Sequence, residues 1–172
     1  MIIQPLKIPS WDELFMSDVY KIARKSKDNS SKIGAVLVKN NINFSSGYNG
    51  MARGVDDNKE ERYERPEKYF WMSHAERNAC YNCARHGRAT LDSVMYTPSM
   101  PCTECADAII QCGIIEVILH KQSEEIWNSL NPKWIESAKR STIKFQEAGV
   151  NVRYFDGILG VQTLVDKKIF NV

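Results

Sequence analysis

Apolar and polar positions switch between two periods along the chain. From Ser10 to about Lys27 the apolar residues Trp11, Leu14, Phe15, Val19, Ile22 and Ala23 recur at helical spacing. Ser10 and Glu13 supply an S-x-x-E capping box at its start, and polar Lys27–Lys32 ends it. Ile33–Val38 (IGAVLV) reads as a buried strand, Lys39-Asn40-Asn41 as a turn and Ile42–Tyr48 as the returning strand of a hairpin. Asn49–Glu67 is a long polar loop, and loops of that length in compact domains are usually functional or mobile. A helix is predicted over Ser73–Arg85, stopped by Gly87, then a strand over Ser93–Thr97 and a turn over Pro98–Pro101. Next come a helix over Cys102–Cys112 with Gly113 as its stop, and a strand over Glu116–His120. A helical pattern over Glu124–Ala148 is interrupted near Asn131-Pro132 and ended by Gly149, and Val150–Phe155 is a fifth strand. Residues 156–172 show no clear period. Their apolar Ile158, Leu159, Val161, Leu164 and Val165 leave docking on the same domain or on a neighbouring subunit open.

Strands alternating with helices after an initial hairpin imply a mostly parallel sheet with one antiparallel corner, covered on both faces: a three-layer α/β/α sandwich with five mixed strands. The chain has 172 residues, which predicts a single domain over 1–172. With 23 basic and 21 acidic residues the net charge is +2, which argues against a polynucleotide or membrane-surface partner and leaves room for a local phosphate pocket. No apolar run is long enough to span a bilayer, and Met1–Ser10 lacks the basic and apolar regions of a secretory signal. The five cysteines, Cys80, Cys83, Cys102, Cys105 and Cys112, are clustered and odd in number. In a chain read as cytoplasmic, that favours metal binding or catalysis over a disulfide framework.

The chemistry concentrates in Ser73-His74-Ala75-Glu76 and Pro101-Cys102-Thr103-Glu104-Cys105. Cys102 and Cys105 share a helix face, Pro101 suits a helix start, and thiolates in a first turn are favoured by the helix dipole. His74 and Glu76 point apart around a helix, so they converge on one metal only if it lies beyond the helix N-terminus. Two helix N-termini then face one zinc ion, with His74, Cys102 and Cys105 as ligands. Three ligands leave a fourth tetrahedral position for water, the mark of a catalytic site. Glu76 stands by as a carboxylate that moves protons without binding the metal, which equips the site for hydrolytic attack on an amidine-like carbon. The competing reading is a structural four-cysteine site, because Cys80 and Cys83 also show C-x-x-C spacing. Against it, both lie in an apparent helix beside Ala79 and Ala84, where they suit packing. His86 reads as a helix C-terminal residue and His120 as a strand end.

H-x-E followed by P-C-x-x-C resembles the zinc deaminase signature. Arg24–Val38 (RKSKDNSSKIGAVLV), Ser46–Asp57 (SGYNGMARGVDD), His74–Ala79 (HAERNA) and Cys105–Ile114 (CADAIIQCGI) are similar to the deoxycytidylate deaminases of the cytidine/deoxycytidylate zinc deaminase family. The resemblance covers most of residues 10–120. It implies a cytidine-deaminase-like fold and hydrolysis of dCMP to dUMP and ammonia, with the product feeding thymidylate synthesis. It implies that Asn49 contacts the sugar, that Glu76 serves the pyrimidine N3 and the leaving amino group, and that backbone N–H groups near Ala75 and Cys102 meet developing charge. Arg24, Ser26 and Lys27, or Lys32 and Arg53, are candidates for the phosphate. The resemblance also implies a homo-oligomer, a hexamer, regulated by dCTP and dTTP. Asp28, Arg53, Asp56 and Asp57 fall where an effector and its Mg²⁺ would sit.

Departures from the family pattern are informative. No cysteine precedes Cys80, and Asp28, Asp56 and Asp57 stand near positions that hold a second zinc in some members, so one zinc per chain is expected. Ala52 replaces a proline, and the aromatic residue that packs on the base has no match near Ser123, leaving Tyr96 or Trp127 as substitutes. The readings that remain open are a deaminase of cytidine, guanine or RNA adenosine, and a non-catalytic zinc module that binds a nucleotide or a partner.

Overall fold

The computed structural model describes residues 8–172. The first seven, part of the segment read above as lacking a secretory signal, lie outside the described residues. Helix α1 (Trp11–Ala23) begins at the predicted capping box, with the Ser10 side chain accepting from the Glu13 N–H and the Glu13 carboxylate accepting from the Ser10 N–H. It stops before Lys27 because local side chains capture the backbone: the Ser26 hydroxyl accepts from the Asp28 N–H, and the Asp28 carboxylate from the Ser30 N–H.

Strands β1 (Gly34–Lys39) and β2 (Ile42–Tyr48) form the hairpin. Asn40 and Asn41, with φ of 52° and 58°, take the two left-handed positions of its tight turn. The long loop is partly ordered by a 3₁₀ turn at Glu60–Tyr63, and the short strand β3 (Gly50–Met51) pairs with β4 (Met72–Ser73). Between them, α2 (Lys68–Trp71) is a single turn that sequence periodicity does not reveal. Helix α3 (Ala75–Arg85) begins two residues later than predicted, because Met72–Ser73 is extended. Strand β5 (Val94–Thr97), α4 (Thr103–Gln111) and β6 (Glu116–His120) follow as expected. The predicted long helix is two, α5 (Lys121–Leu130) and α6 (Pro132–Ala148), divided at Asn131, with Pro132 at the new helix start. Strand β7 (Asn151–Phe155) completes the sheet.

The sheet order is β2-β1-β5-β6-β7, antiparallel through β2, β1 and β5 and parallel from β5 to β7. Both faces are covered, so successive residues of one strand enter different cores. Ala35, Leu37, Met95, Val117 and Leu119 pack with residues of α3, α4 and α6. Val36, Val38, Tyr96 and Ile118 pack with α1 and, from the chain end, Val172. This is the predicted α/β/α sandwich.

The tail has structure: β8 (Gln162–Val165) and β9 (Lys168–Asn171) form a hairpin docked on the same chain. The Lys32 N–H donates to the Leu164 carbonyl at 3.0 Å, and the Lys167 N–H to the Ser30 carbonyl at 2.7 Å. Buried His120 ties this tail to α1. Its Nε2 faces the Gly157 carbonyl at 2.8 Å and so must carry the proton, while its Nδ1 accepts from the Tyr20 hydroxyl at 2.7 Å.

Gly47 sets the approach of α3 to the sheet. A β-carbon there would stand 2.3 Å from the Ala75 carbonyl oxygen and 2.4 Å from the Ala79 nitrogen. No sequence period demands this glycine; the close backbone approach does. Asn78 and Asn82 donate to the Tyr48 and Ser46 carbonyls at 2.8 and 2.7 Å, and the Ser45 hydroxyl to the Ala79 carbonyl at 2.8 Å. The start of α3 is thereby fixed on β2.

Candidate metal centre and active site

His74 is the N-cap residue of α3 and Cys102 the N-cap residue of α4, both in extended backbone, and neither side chain makes a capping bond. Serine, threonine, aspartate or asparagine at such positions would add about 1 kcal/mol of helix stability. Their place is taken by a nitrogen and a sulfur that face each other. His74 Nδ1 lies 3.4 Å from Cys102 Sγ and 3.5 Å from Cys105 Sγ. A tetrahedral zinc with N and S ligands at about 2.0 and 2.3 Å has N···S edges of about 3.5 Å, so the donor set fits zinc. Among the described residues, this trio is the group of histidine, cysteine and acidic side chains close enough together to hold a metal.

Buried Glu76 directs Oε2 to Cys105 Sγ at 3.6 Å. Burial pushes its carboxyl above the ordinary range, and the Cys102 sulfur adds to this, while the imidazole of His74 opposes it. The neighbouring Cys105 side chain draws the Cys102 thiol below the usual thiol range, and the same pairing pushes Cys105 above it. Arg77, which follows Glu76, pairs with Glu104 at 2.9 Å and so joins the first turns of α3 and α4 across the cluster. Cys80 and Cys83 are buried among the α3 packing residues, outside this trio.

The cluster opens into a cavity. Asp28, Ser31, Asn49, Arg65, Lys68, Tyr69, Ser99–Pro101, Glu124, Trp127, Asn128 and Trp134 line it with His74, Ala75, Glu76 and Cys102. The Asn49 amide is nearly saturated. Its nitrogen donates to the Ser31 carbonyl (2.9 Å) and Asp28 carboxylate (3.2 Å), and its oxygen accepts from the Ile33 N–H (2.9 Å). Asp28 also accepts from Lys68 Nζ at 2.8 Å, an ion pair whose side chains are 3% and 12% exposed.

Several predicted residues are placed elsewhere. Arg24 opens onto a different cavity beside Tyr20, Lys32 and Thr163. Buried Ser26 is bonded to the Asn49 carbonyl at 2.8 Å. Arg53 is exposed and donates to Asn82 at 2.7 Å. Asp57 pairs with Lys27 at 2.8 Å, and the Asp56 side chain accepts from the Asn58 N–H at 3.0 Å. Asp28, Arg53, Asp56 and Asp57 are each held by a different partner, and among the described residues they do not form a group of three metal-ligating side chains. Tyr96 packs away from the cavity, donating to Asp12 at 2.8 Å, whereas Trp127 lines it. Arg65, Lys68 and Trp134 are cavity residues that sequence reasoning missed. The first two lie in the aperiodic insertion, where only the Lys/Arg content of Arg62–Lys68 hinted at them, and Trp134 reads as an ordinary helix-face aromatic.

An α/β/α sandwich whose two helix N-termini converge on one histidine and two cysteines, with a buried carboxylate alongside, defines a zinc-dependent hydrolytic enzyme. Residues 9–121 match the family described as the cytidine and deoxycytidylate deaminase zinc-binding region, and the chain belongs to that family. It is 35% identical over 151 residues to the deoxycytidylate deaminase of Mus musculus, covering 84% of this chain and 79% of that one. To an uncharacterized deaminase of Aliivibrio fischeri it is 34% identical over 147 residues, covering 86% and 95%. A dCMP deaminase from the cyanophage S-TIM5, solved with dCMP and dUMP, shares the fold at a TM-score of 0.66 and 22% identity, over 87% of this chain and 100% of that one. No helix among the described residues is long and apolar enough to cross a membrane.

Proposed function

We propose that this protein hydrolyses dCMP to dUMP and ammonia with one zinc ion per chain. The observation that carries the reading is the trio His74, Cys102 and Cys105 beside buried Glu76, at a cavity whose lining includes the cations of Arg65 and Lys68. Relatives at 34–35% identity that bear the name deoxycytidylate deaminase support the choice of substrate. A zinc ion held by the trio supplies Lewis acidity that makes water nucleophilic near neutral pH.

The protein's own residues do the rest. Glu76, its carboxyl raised by burial, takes the proton that water loses as oxygen bonds to C4 of the base, and delivers protons to N3 and the amino nitrogen. The C4–N bond then breaks, ammonia leaves and the C4 carbonyl remains. The uncapped N–H groups at the start of α3, near Ala75, and at Cys102 meet the negative charge that develops. Trp127 and Trp134 offer flat apolar walls to the base. Asn49, with one lone pair free on its oxygen, accepts from a sugar hydroxyl. Lys68 and Arg65 receive the phosphate, in place of Arg24 and Ser26.

The same proposal includes a cytoplasmic enzyme supplying dUMP for thymidylate synthesis, assembled as a hexamer and regulated by dCTP and dTTP. Tyr69, Phe70 and Trp71, exposed by 58%, 81% and 39%, support burial between copies. The test is ammonia release from dCMP, deoxycytidine, cytidine, guanine and adenosine in RNA, with dCTP and dTTP added in turn. dCMP is expected to exceed deoxycytidine in kcat/KM by at least about 100-fold. Equal rates, or turnover of guanine or RNA instead, would contradict the reading.

A further inference from the structure

The turn Pro98–Pro101 joins β5 to the metal ligand Cys102 and supplies part of the cavity wall through Ser99, Met100 and Pro101. Its two prolines carry no N–H, so only Ser99 and Met100 offer donors with which to anchor it. The Met100 N–H is held by Glu124 of α5, whose Oε2 accepts at 2.6 Å. The other oxygen accepts from the Asn128 side chain at 3.4 Å. Glu124 is half-buried in the cavity lining on the same α5 face as Trp127 and Asn128. What acts on its charge is burial, the Met100 N–H and the Asn128 amide. A carboxylate kept this way, in a site whose chemistry already has Glu76, calls for a role of its own.

We propose that Glu124 is a positioning residue: its carboxylate grips the Met100 amide and fixes the proline-flanked turn as the wall against which the substrate is oriented. A charge-assisted bond to a backbone N–H is stronger and more directional than a neutral one. A planar peptide held at its N–H is fixed as a unit, the Ser99 carbonyl included. The kinetic part of this inference rests on the proposed dCMP reaction; the structural part does not.

The experiment uses zinc-loaded enzyme, wild type, Glu124→Ala and Glu124→Gln. Selective ¹⁵N-methionine labelling isolates the Met100 amide among six methionines for hydrogen-exchange NMR. Wild type and Glu124→Gln, which keeps an acceptor oxygen, are expected to protect this amide. Glu124→Ala is expected to lose that protection while retaining zinc, and its kcat/KM on dCMP to fall about 10- to 100-fold, with Glu124→Gln recovering most of it. Unchanged Met100 exchange in Glu124→Ala overturns the grip whatever the substrate proves to be. Lost protection with unchanged kcat/KM in an active enzyme overturns the positioning role. A Glu124→Gln variant as impaired as Glu124→Ala overturns hydrogen bonding as its basis. If wild type ignores dCMP, the proposed reaction fails, while the Met100 exchange still decides the grip.

Discussion

Lys68→Met separates the two duties that the structure gives to one ammonium. Lys68 Nζ bonds to Asp28 at 2.8 Å and to the Ser30 hydroxyl at 2.6 Å, in a corner where Asp28 is 3% exposed. Removing one partner of a buried pair generally costs about 3–5 kcal/mol, because the remaining charge is uncompensated. Asp28 keeps the N–H groups of Ser30 and Ser31 and the Asn49 amide, at 2.7, 3.4 and 3.2 Å. The lower end, about 3 kcal/mol, is therefore expected. For a chain of this size that is a fall in Tm of about 6–12 °C. The double variant Asp28→Asn/Lys68→Met removes both charges and is expected to return to within about 1 kcal/mol of wild type. Phosphate recognition behaves differently: a hydrogen bond to a charged group is worth about 1.5–3 kcal/mol, so the preference for dCMP over deoxycytidine should fall about 10- to 150-fold in both variants. Urea unfolding and paired kcat/KM values check the two halves separately. A double variant as unstable as the single one would refute the buried-charge argument. An unchanged substrate ratio would refute Lys68 as a phosphate ligand.

Other perturbations follow from the same geometry. Glu76→Gln is expected to keep zinc and to lose about 10²–10⁴-fold in kcat, checked by metal analysis beside steady-state kinetics. Gly47→Ala places a β-carbon 2.3 Å from the Ala75 carbonyl, so α3 must shift; a loss of about 1–3 kcal/mol and weaker zinc retention are expected in unfolding and chelator-competition assays. Burial lowers the His120 imidazole below its ordinary 6.5, so on acidification the unfolded chain takes up this proton before the folded one. The stability due to the neutral ring is thus whole above about pH 6.5 and declines as pH falls below it. Wild type should lose more stability between pH 7.5 and 5.5 than His120→Gln, as measured by urea unfolding.

What could be read in advance was whatever is encoded locally. The capping box at Ser10, the Asn40-Asn41 turn, the two-faced IGAVLV strand and the proline before Cys102 each carry a signal within a few residues. The convergence of His74, Cys102 and Cys105 was legible for the same reason, since two short motifs specify two helix starts. The remainder depends on contacts distant in sequence. Gly47 is explained only once α3 lies on β2. Arg65 and Lys68 sit in an aperiodic insertion that is brought to the cavity by the pairing of β3 with β4 and of Lys68 with Asp28. Arg24 lines a different cavity from the one beside Glu76, a placement that hydrophobic spacing does not report. The tail escaped assignment because its strands are four residues each and gain their order from Ser30–Lys32 and His120.

The proposed enzyme holds one zinc ion through one nitrogen and two sulfurs, with a coordination place left for water. Zinc X-ray absorption on the purified protein, with metal content measured on the same sample, tests it most directly. One zinc per chain with two sulfurs at about 2.3 Å and lighter ligands at about 2.0 Å is the predicted result. Four sulfurs around the metal, drawing in Cys80 and Cys83, or a fully active protein without zinc, would contradict it.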